Sequence, residues 1–201
     1  MISIYQLKPQ FQTLLRPLVQ TLAAAGVTAN QVTLAALFGS VFVGGLLCLP
    51  RNHHLIWLAL PVYLLIRMAL NAVDGMLARE HQQQTPLGAI LNEVADVIAD
   101  AALYIPFALL VPAAAWIVIA AIFLALLSEF IGLIGPMIGA SRRYDGPMGK
   151  SDRAFVFGAL ALAIALYPAA SAAVSWVFAI AALLTSVTCV NRARMILKEA
   201  Q

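Results

Sequence analysis

Six ionisable side chains stand within or at the ends of long apolar stretches: Arg67, Asp74, Glu93, Asp96, Asp100 and Glu129. Each costs about 2.5–3.5 kcal/mol at the centre of a bilayer, so they must face one another, water or a bound ion. At about 100° per residue, Arg67, Asn71, Asp74 and Ala78 form one stripe of a helix. Asn92, Glu93, Asp96 and Asp100 share an arc of about 100° on the helix that follows. Arg67 and Asp100 lie at matching depth, so an ion pair between them is expected. The four acids of these two helices outnumber the one deep base, and the surplus negative charge calls for cations. Oxygen ligands, with no histidine or cysteine nearby, favour magnesium or manganese over zinc. Glu129 has no base near it in sequence; it pairs across helices or adjoins the same site.

The elements that carry these groups follow from composition. The 201 residues are 63% hydrophobic and 10% charged, against roughly 45–50% and about 25% in soluble chains. A soluble domain of this length cannot hide so much apolar surface, which excludes secreted factors and cytosolic enzymes. The net charge of +3 is small and scattered, and points to no nucleic acid. Cys48 and Cys189 offer no disulfide framework.

Stretches long enough to span a bilayer lie near 32–49, 55–79, 87–111, 113–138, 153–168 and 171–191. Pro50 to His54, Gln82 to Pro86, Pro112 and the polar run from Gly139 to Arg153 divide them. Before them, Ile4, Leu7, Phe11, Leu14, Leu15, Leu18 and Leu22 recur at helical spacing among Lys8, Gln12, Arg16 and other polar residues. Residues 1–27 therefore read as an amphipathic helix for the headgroup plane rather than a cleaved signal peptide. Thr28 is placed to cap the first span. The expected fold is all-α, a single membrane domain in which six transmembrane helices (28–201) follow an interfacial helix. Ten of the twelve Lys and Arg fall on one side of this layout, Arg51 alone on the other and Arg67 within a span. The positive-inside rule puts both termini in the cytoplasm. Trp57, Trp116 and Trp176 fall near outer span ends, as in an aromatic belt, where His53 and His54 are loop residues. Gly132, Gly135 and Gly139 have the small-residue spacing of close helix packing.

The polar stripes also contain a motif: Asn71-x2-Asp74-Gly75-x2-Ala78-Arg79-x8-Gly88-x3-Asn92-x3-Asp96. It resembles the signature of the CDP-alcohol phosphatidyltransferase family, D-x2-D-G-x2-A-R-x8-G-x3-D-x3-D, at six of eight fixed letters and at every spacing. The run Thr28-Ala29-Asn30-Gln31-Val32-Thr33 is similar to the family's Pro-Asn-x-x-Thr lead into its first span. The resemblance implies a bacterial inner-membrane enzyme, a homodimer with its site at the cytoplasmic face. It would move a substituted phosphate from a CDP-alcohol, most often CDP-diacylglycerol, to a hydroxyl acceptor and release CMP. It implies Asp74 as a metal ligand and Asp96 as ligand and general base. Gly75, Ala78 and Gly88 would make room for the nucleotide, and Arg79 would steady the cytoplasmic end.

Asn71 and Asn92 stand where the family has aspartates, so four carboxylates fall to two. An amide oxygen ligates a hard cation without bringing charge. Glu93 and Asp100, on the Asp96 arc, are the candidates to restore it. The competing reading is a non-catalytic lipid- or nucleotide-binding protein with a degenerate site. A transporter fits less well, since no inverted repeat is visible.

The run Ser141 to Arg153 is the most polar in the chain. Gly149-Lys150-Ser151 is not a P-loop, because Tyr144 stands where the first glycine belongs. Its charges serve either anionic lipid headgroups or a basic pocket. By the family resemblance Lys150, Arg153 and Arg192, with Arg142 or Arg143, would hold the acceptor, phosphorylated or not, or the donor's phosphates.

Overall fold

The protein, seen here as a computed structural model, is described over residues 4–49 and 54–200. Pro50, Arg51, Asn52 and His53 lie outside the described residues. Among the described residues the secondary structure is helical, with no strand: α1 (Ile4–Ala24), α2 (Ala29–Leu47), α3 (Ala59–Glu80), α4 (Pro86–Tyr104), α5 (Phe107–Leu110), α6 (Ala115–Ile134), α7 (Lys150–Leu166) and α8 (Val174–Glu199). Short 3-10 turns lead into α3, α6 and α8 and follow α6.

Among the described residues four stretches are long and apolar enough to cross a membrane: Ala29–Leu47, His54–Glu80, Pro112–Ile138 and Pro168–Glu199. The other two expected spans are also helices. However, α4 carries Glu93, Asp96 and Asp100 within 19 residues, and α7 is only 17 residues long. The third stretch does not run on to 111 as one helix. Pro106 has no amide hydrogen to continue the ladder, so α4 ends at Tyr104 and the short α5 starts at Phe107. In the other direction, α8 continues to Glu199 and carries Arg192 on its last turns.

The chain divides into two compact units, Met1–Phe42 with Val62–Asp100, and Val43–Pro61 with Ala101–Gln201. In the first, Thr28 caps α2 as expected: its hydroxyl accepts the Gln31 amide while the Gln31 side chain accepts the Thr28 amide. Thr85 caps α4 through the Gly88 amide. Gln82 takes a left-handed conformation at φ 56° in the turn between α3 and α4. That turn places Gln83 against the α1–α2 turn, where its side chain accepts the Ala29 amide at 2.7 Å and donates to the Val27 carbonyl. The apolar face of α1 is split. Val19 is fully buried and, with Leu15 and Leu22, packs against Val32, Val73, Met76 and Leu77, whereas Leu14 and Leu18 point outward. At its surface Arg16 pairs with Glu80 at 3.1 Å, an exposed contact worth little.

The second unit has an aromatic centre. Phe157 and Phe178 stack at 4.2 Å, and Trp57, Tyr104 and Phe107 close around them. Trp57 is thus a core residue, not part of a belt; Trp116 and Trp176 are exposed. α6 packs along α8. The glycine spacing on α6 admits α8 side chains, Arg192 at Gly132 and Ile196 at Gly135, as expected of helix packing, and it admits a loop as well. A Cβ on Gly132 would meet the Arg143 carbonyl at 2.6 Å, and one on Gly135 would collide with the Ser141 carbonyl. The small residues therefore seat the 139–149 loop on α6, while Gly139, at φ 84°, turns the chain into it. Glu199 fastens that loop to the end of α8 by accepting from Ser141 and Arg143.

Candidate functional site

In the first unit, three helices bring the motif's side chains together. α3 presents Arg67, Asn71 and Asp74; α4 presents Asn92, Glu93, Asp96 and Asp100. Arg67 is almost wholly buried, and its guanidinium spans a turn of α4. One terminal nitrogen donates to Asp100 Oδ1 at 2.5 Å, the other to Asp96 Oδ1 at 3.1 Å and to the Asp96 carbonyl at 3.2 Å. The expected Arg67–Asp100 pair is present, and Asp96 shares it. Asn71 Nδ2 also approaches Asp96 Oδ1, at 3.4 Å.

Asp74 is equally buried, and its Oδ2 accepts from the Thr33 hydroxyl of α2 at 2.9 Å. Sequence reading named Thr33 only as part of the lead into a span. The hydroxyl also donates to the Ala29 carbonyl one turn back, which anchors it on the helix start. Asn92, Glu93, Asp96 and Asp100 are all partly exposed. Gly75 lies beneath the Arg79 guanidinium, and a Cβ on Gly88 would meet Asn30 Oδ1 at 2.8 Å. The glycines thus admit side chains of their own unit to the backbone. Arg79 itself is exposed and Ala78 partly buried.

The donors fit a hard divalent cation: carboxylates at Asp74 and Asp96, amide oxygens at Asn71 and Asn92, and no sulfur or imidazole. Among the described residues no three of His, Cys, Asp and Glu group to hold a metal by themselves. Amide oxygens or substrate oxygens would therefore complete the coordination.

The second unit gathers the basic residues differently from expectation. Arg153 at the start of α7 and Arg192 on α8 come together, each 1% exposed. Both close on Glu129 of α6, whose Oε1 lies 2.9 Å from Arg153 and Oε2 3.3 Å from Arg192. Glu129 therefore pairs across helices. Lys150, partly exposed, opens α7. Arg142 lies over the Tyr144 ring at 5.0 Å, and Arg143 is engaged by Glu199. The hydroxyl and carbonyl of Ser128, which support both buried arginines, carried no signal in the sequence.

Comparison with known proteins places these features in a family. The family model for CDP-alcohol phosphatidyltransferase matches residues 26–188. Inner membrane protein YnbA of Escherichia coli (strain K12) is 50% identical over 196 residues, 98% of this chain and 97% of that protein. Phosphatidylinositol phosphate synthase of Corynebacterium glutamicum is 34% identical over 104 residues, 52% of this chain and 45% of that enzyme. The structure of Mycobacterium tuberculosis phosphatidylinositol phosphate synthase (PgsA1) with CDP-DAG bound is similar at TM-score 0.75 and 20% identity, covering 90% of this chain and 92% of that one. The same enzyme in complex with manganese and citrate gives a TM-score of 0.76, covering 90% and 88% at the same 20% identity. At that identity the likeness is one of fold. The matched region contains both the α3–α4 motif and the basic loop, and the chain belongs to the CDP-alcohol phosphatidyltransferase family.

Proposed function

We propose that this protein transfers a phosphatidyl or related substituted-phosphate group from a CDP-alcohol to a hydroxyl acceptor, releasing CMP, in phospholipid biosynthesis. CDP-diacylglycerol is the donor we favour, in keeping with the CDP-DAG bound to PgsA1. The reading is carried by one observation: at family spacing, Asp74 is buried against Thr33 while Asp96 is held by Arg67 and Asn71.

In this mechanism the acceptor oxygen attacks the phosphorus that bears the diacylglycerol. The bond from that phosphorus to the CMP oxygen breaks, CMP leaves with the electron pair, and Asp96 takes the acceptor's proton. Arg67 and Asn71 fix the orientation of that carboxylate. Magnesium or manganese, the latter present with PgsA1, would be held by Asp74, Asp96, Asn71 and Asn92 and would neutralise the pyrophosphate and the departing oxygen. Glu93 and Asp100 add negative charge on the same arc. Gly75, Ala78, Arg79 and Gly88 would make room for the nucleotide, and Arg142, Lys150, Arg153 and Arg192 would serve an acceptor or phosphate.

The protein works as a homodimer in the bacterial inner membrane, both termini and the site cytoplasmic; YnbA's name and the Lys/Arg asymmetry support this placement. Six spans are favoured over four because α4 and α7 also carry lipid-type faces. Leu87, Ile90, Val94 and Ile98 form an exposed apolar stripe on α4, and Phe155, Leu162 and Leu166 are exposed on α7. The outward Leu14 and Leu18 of α1 suit a helix lying in the headgroup plane.

The rival, a site that binds without catalysing, is favoured by Asn71, Asn92 and the Arg67 contact to Asp96. CMP release separates the two, while magnesium titration of CDP binding tests the rearranged metal site on which catalysis would depend. Glu93→Ala and Asp100→Ala are each expected to raise the magnesium requirement about tenfold, because affinity follows ligand charge. No change in either variant contradicts a rearranged, working metal site.

A further inference from the structure

Glu129 is an acid in the stretch with the highest mean hydropathy of the candidate spans, 2.7, and the mechanism above gives it no chemical step. Both of its oxygens are engaged, one by each buried arginine. Most of the remaining donors of the cluster are committed too. Arg153 donates to the Met148 carbonyl at 3.1 Å and approaches Ser128 Oγ at 3.4 Å, and its Nε is buried without an acceptor. Arg192 donates to the Ser128 carbonyl at 2.6 Å and to the Asp145 carbonyl at 3.3 Å.

Two guanidiniums converging on one anion, each giving it a charge-assisted contact, is how a protein receives a phosphate. Here the anion belongs to the chain. One carboxylate between two cations leaves a net charge of +1, against +2 without it. An incoming phosphate would have to expel Glu129 from both arginines or sit beside it, and like charges are strongly unfavourable where water is excluded.

We infer that Glu129 fills the anion position between Arg153 and Arg192 and thereby closes the acceptor side to phosphorylated alcohols. The acceptor is then an uncharged or zwitterionic alcohol, such as a polyol or a hydroxy amino acid. This inference rests on the transferase reading for its consequence, but the closed anion position can be tested without catalysis.

Thermal unfolding of the full-length protein in detergent, with inorganic phosphate against chloride at matched ionic strength, is the first arm. Wild type is expected to be indifferent to phosphate. Glu129→Gln should unfold at lower temperature in chloride and recover several degrees in phosphate, since a ligand bound by the folded state alone raises the midpoint. Phosphate stabilisation of wild type, or a folded Glu129→Gln that ignores phosphate, overturns the inference. If Glu129→Gln does not fold, the wild-type response decides alone: indifference supports the closed position and stabilisation overturns it.

The second arm is CMP release with glycerol against glycerol 3-phosphate. Wild type should favour glycerol at least tenfold in kcat/KM, and Glu129→Gln should lose most of that preference. Preference of wild type for glycerol 3-phosphate overturns the inference. Release with no acceptor of any kind counts against the transferase reading instead, and the phosphate arm still decides the role of Glu129.

Discussion

Asp96→Asn is expected to lower CMP release from CDP-diacylglycerol by about a thousandfold, within the range of roughly 10²–10⁴ for a lost general base. Asparagine keeps the shape of the side chain and an oxygen for Arg67 and Asn71, the contacts Asp96 makes at 3.1 and 3.4 Å. It cannot take a proton from the acceptor, and it removes one of the two motif carboxylates that remain. Arg67 keeps Asp100 as a charged partner, so the fold should survive, with a thermal midpoint within a few degrees of wild type. A variant that folds and retains a tenth of the wild-type rate excludes Asp96 as the base.

Arg67→Met should do the reverse and act first on stability. Arg67 is 4% exposed, and its guanidinium holds two carboxylates. Breaking a fully buried ion pair from one side costs about 3–5 kcal/mol, and the low end of that range is expected here because Asp96 and Asp100 keep some contact with water. The loss should appear as a shift in equilibrium unfolding in mixed detergent. Adding Asp100→Asn removes one of the stranded charges and should recover about half of it, a coupling that independent sites do not show. If Arg67→Met alone is neutral, water or a neighbouring cation already compensates both acids and the pair is not what holds α3 to α4 here.

The polar stripes of α3 and α4 were legible in the sequence because helical period and the cost of buried charge constrain them together. Those rules named the Arg67–Asp100 pair from spacing alone. They did not find Thr33 as the partner of Asp74, since a threonine in the first turn of a helix has the same local signature whether it bonds its own backbone or a distant acid. In this protein it does both. Glu129 was recognised as an anomaly, but Arg153 and Arg192 lie 24 and 63 positions further on, and no periodicity links them. Trp57 was misplaced because nearness to a span end does not say whether a ring faces lipid or core; in the fold it is buried against Phe107 at 4.6 Å. The glycines of α6 were read for helix packing, and α8 does stand against them, but the spacing gave no sign that the 139–149 loop shares that space. Arg143 stood as an alternative to Arg142 for the basic pocket, but Glu199, 56 residues on, engages it.

The most direct test of the account is CMP release from CDP-diacylglycerol by purified wild-type protein in mixed micelles, with a panel of hydroxyl acceptors, in magnesium or manganese and then in excess chelator. Release that requires both an acceptor and a divalent ion, and returns when the ion is restored, is the predicted result. Intact CDP-diacylglycerol under every acceptor and metal, with CDP still bound by the protein, would contradict it and establish a nucleotide-binding member that does not catalyse.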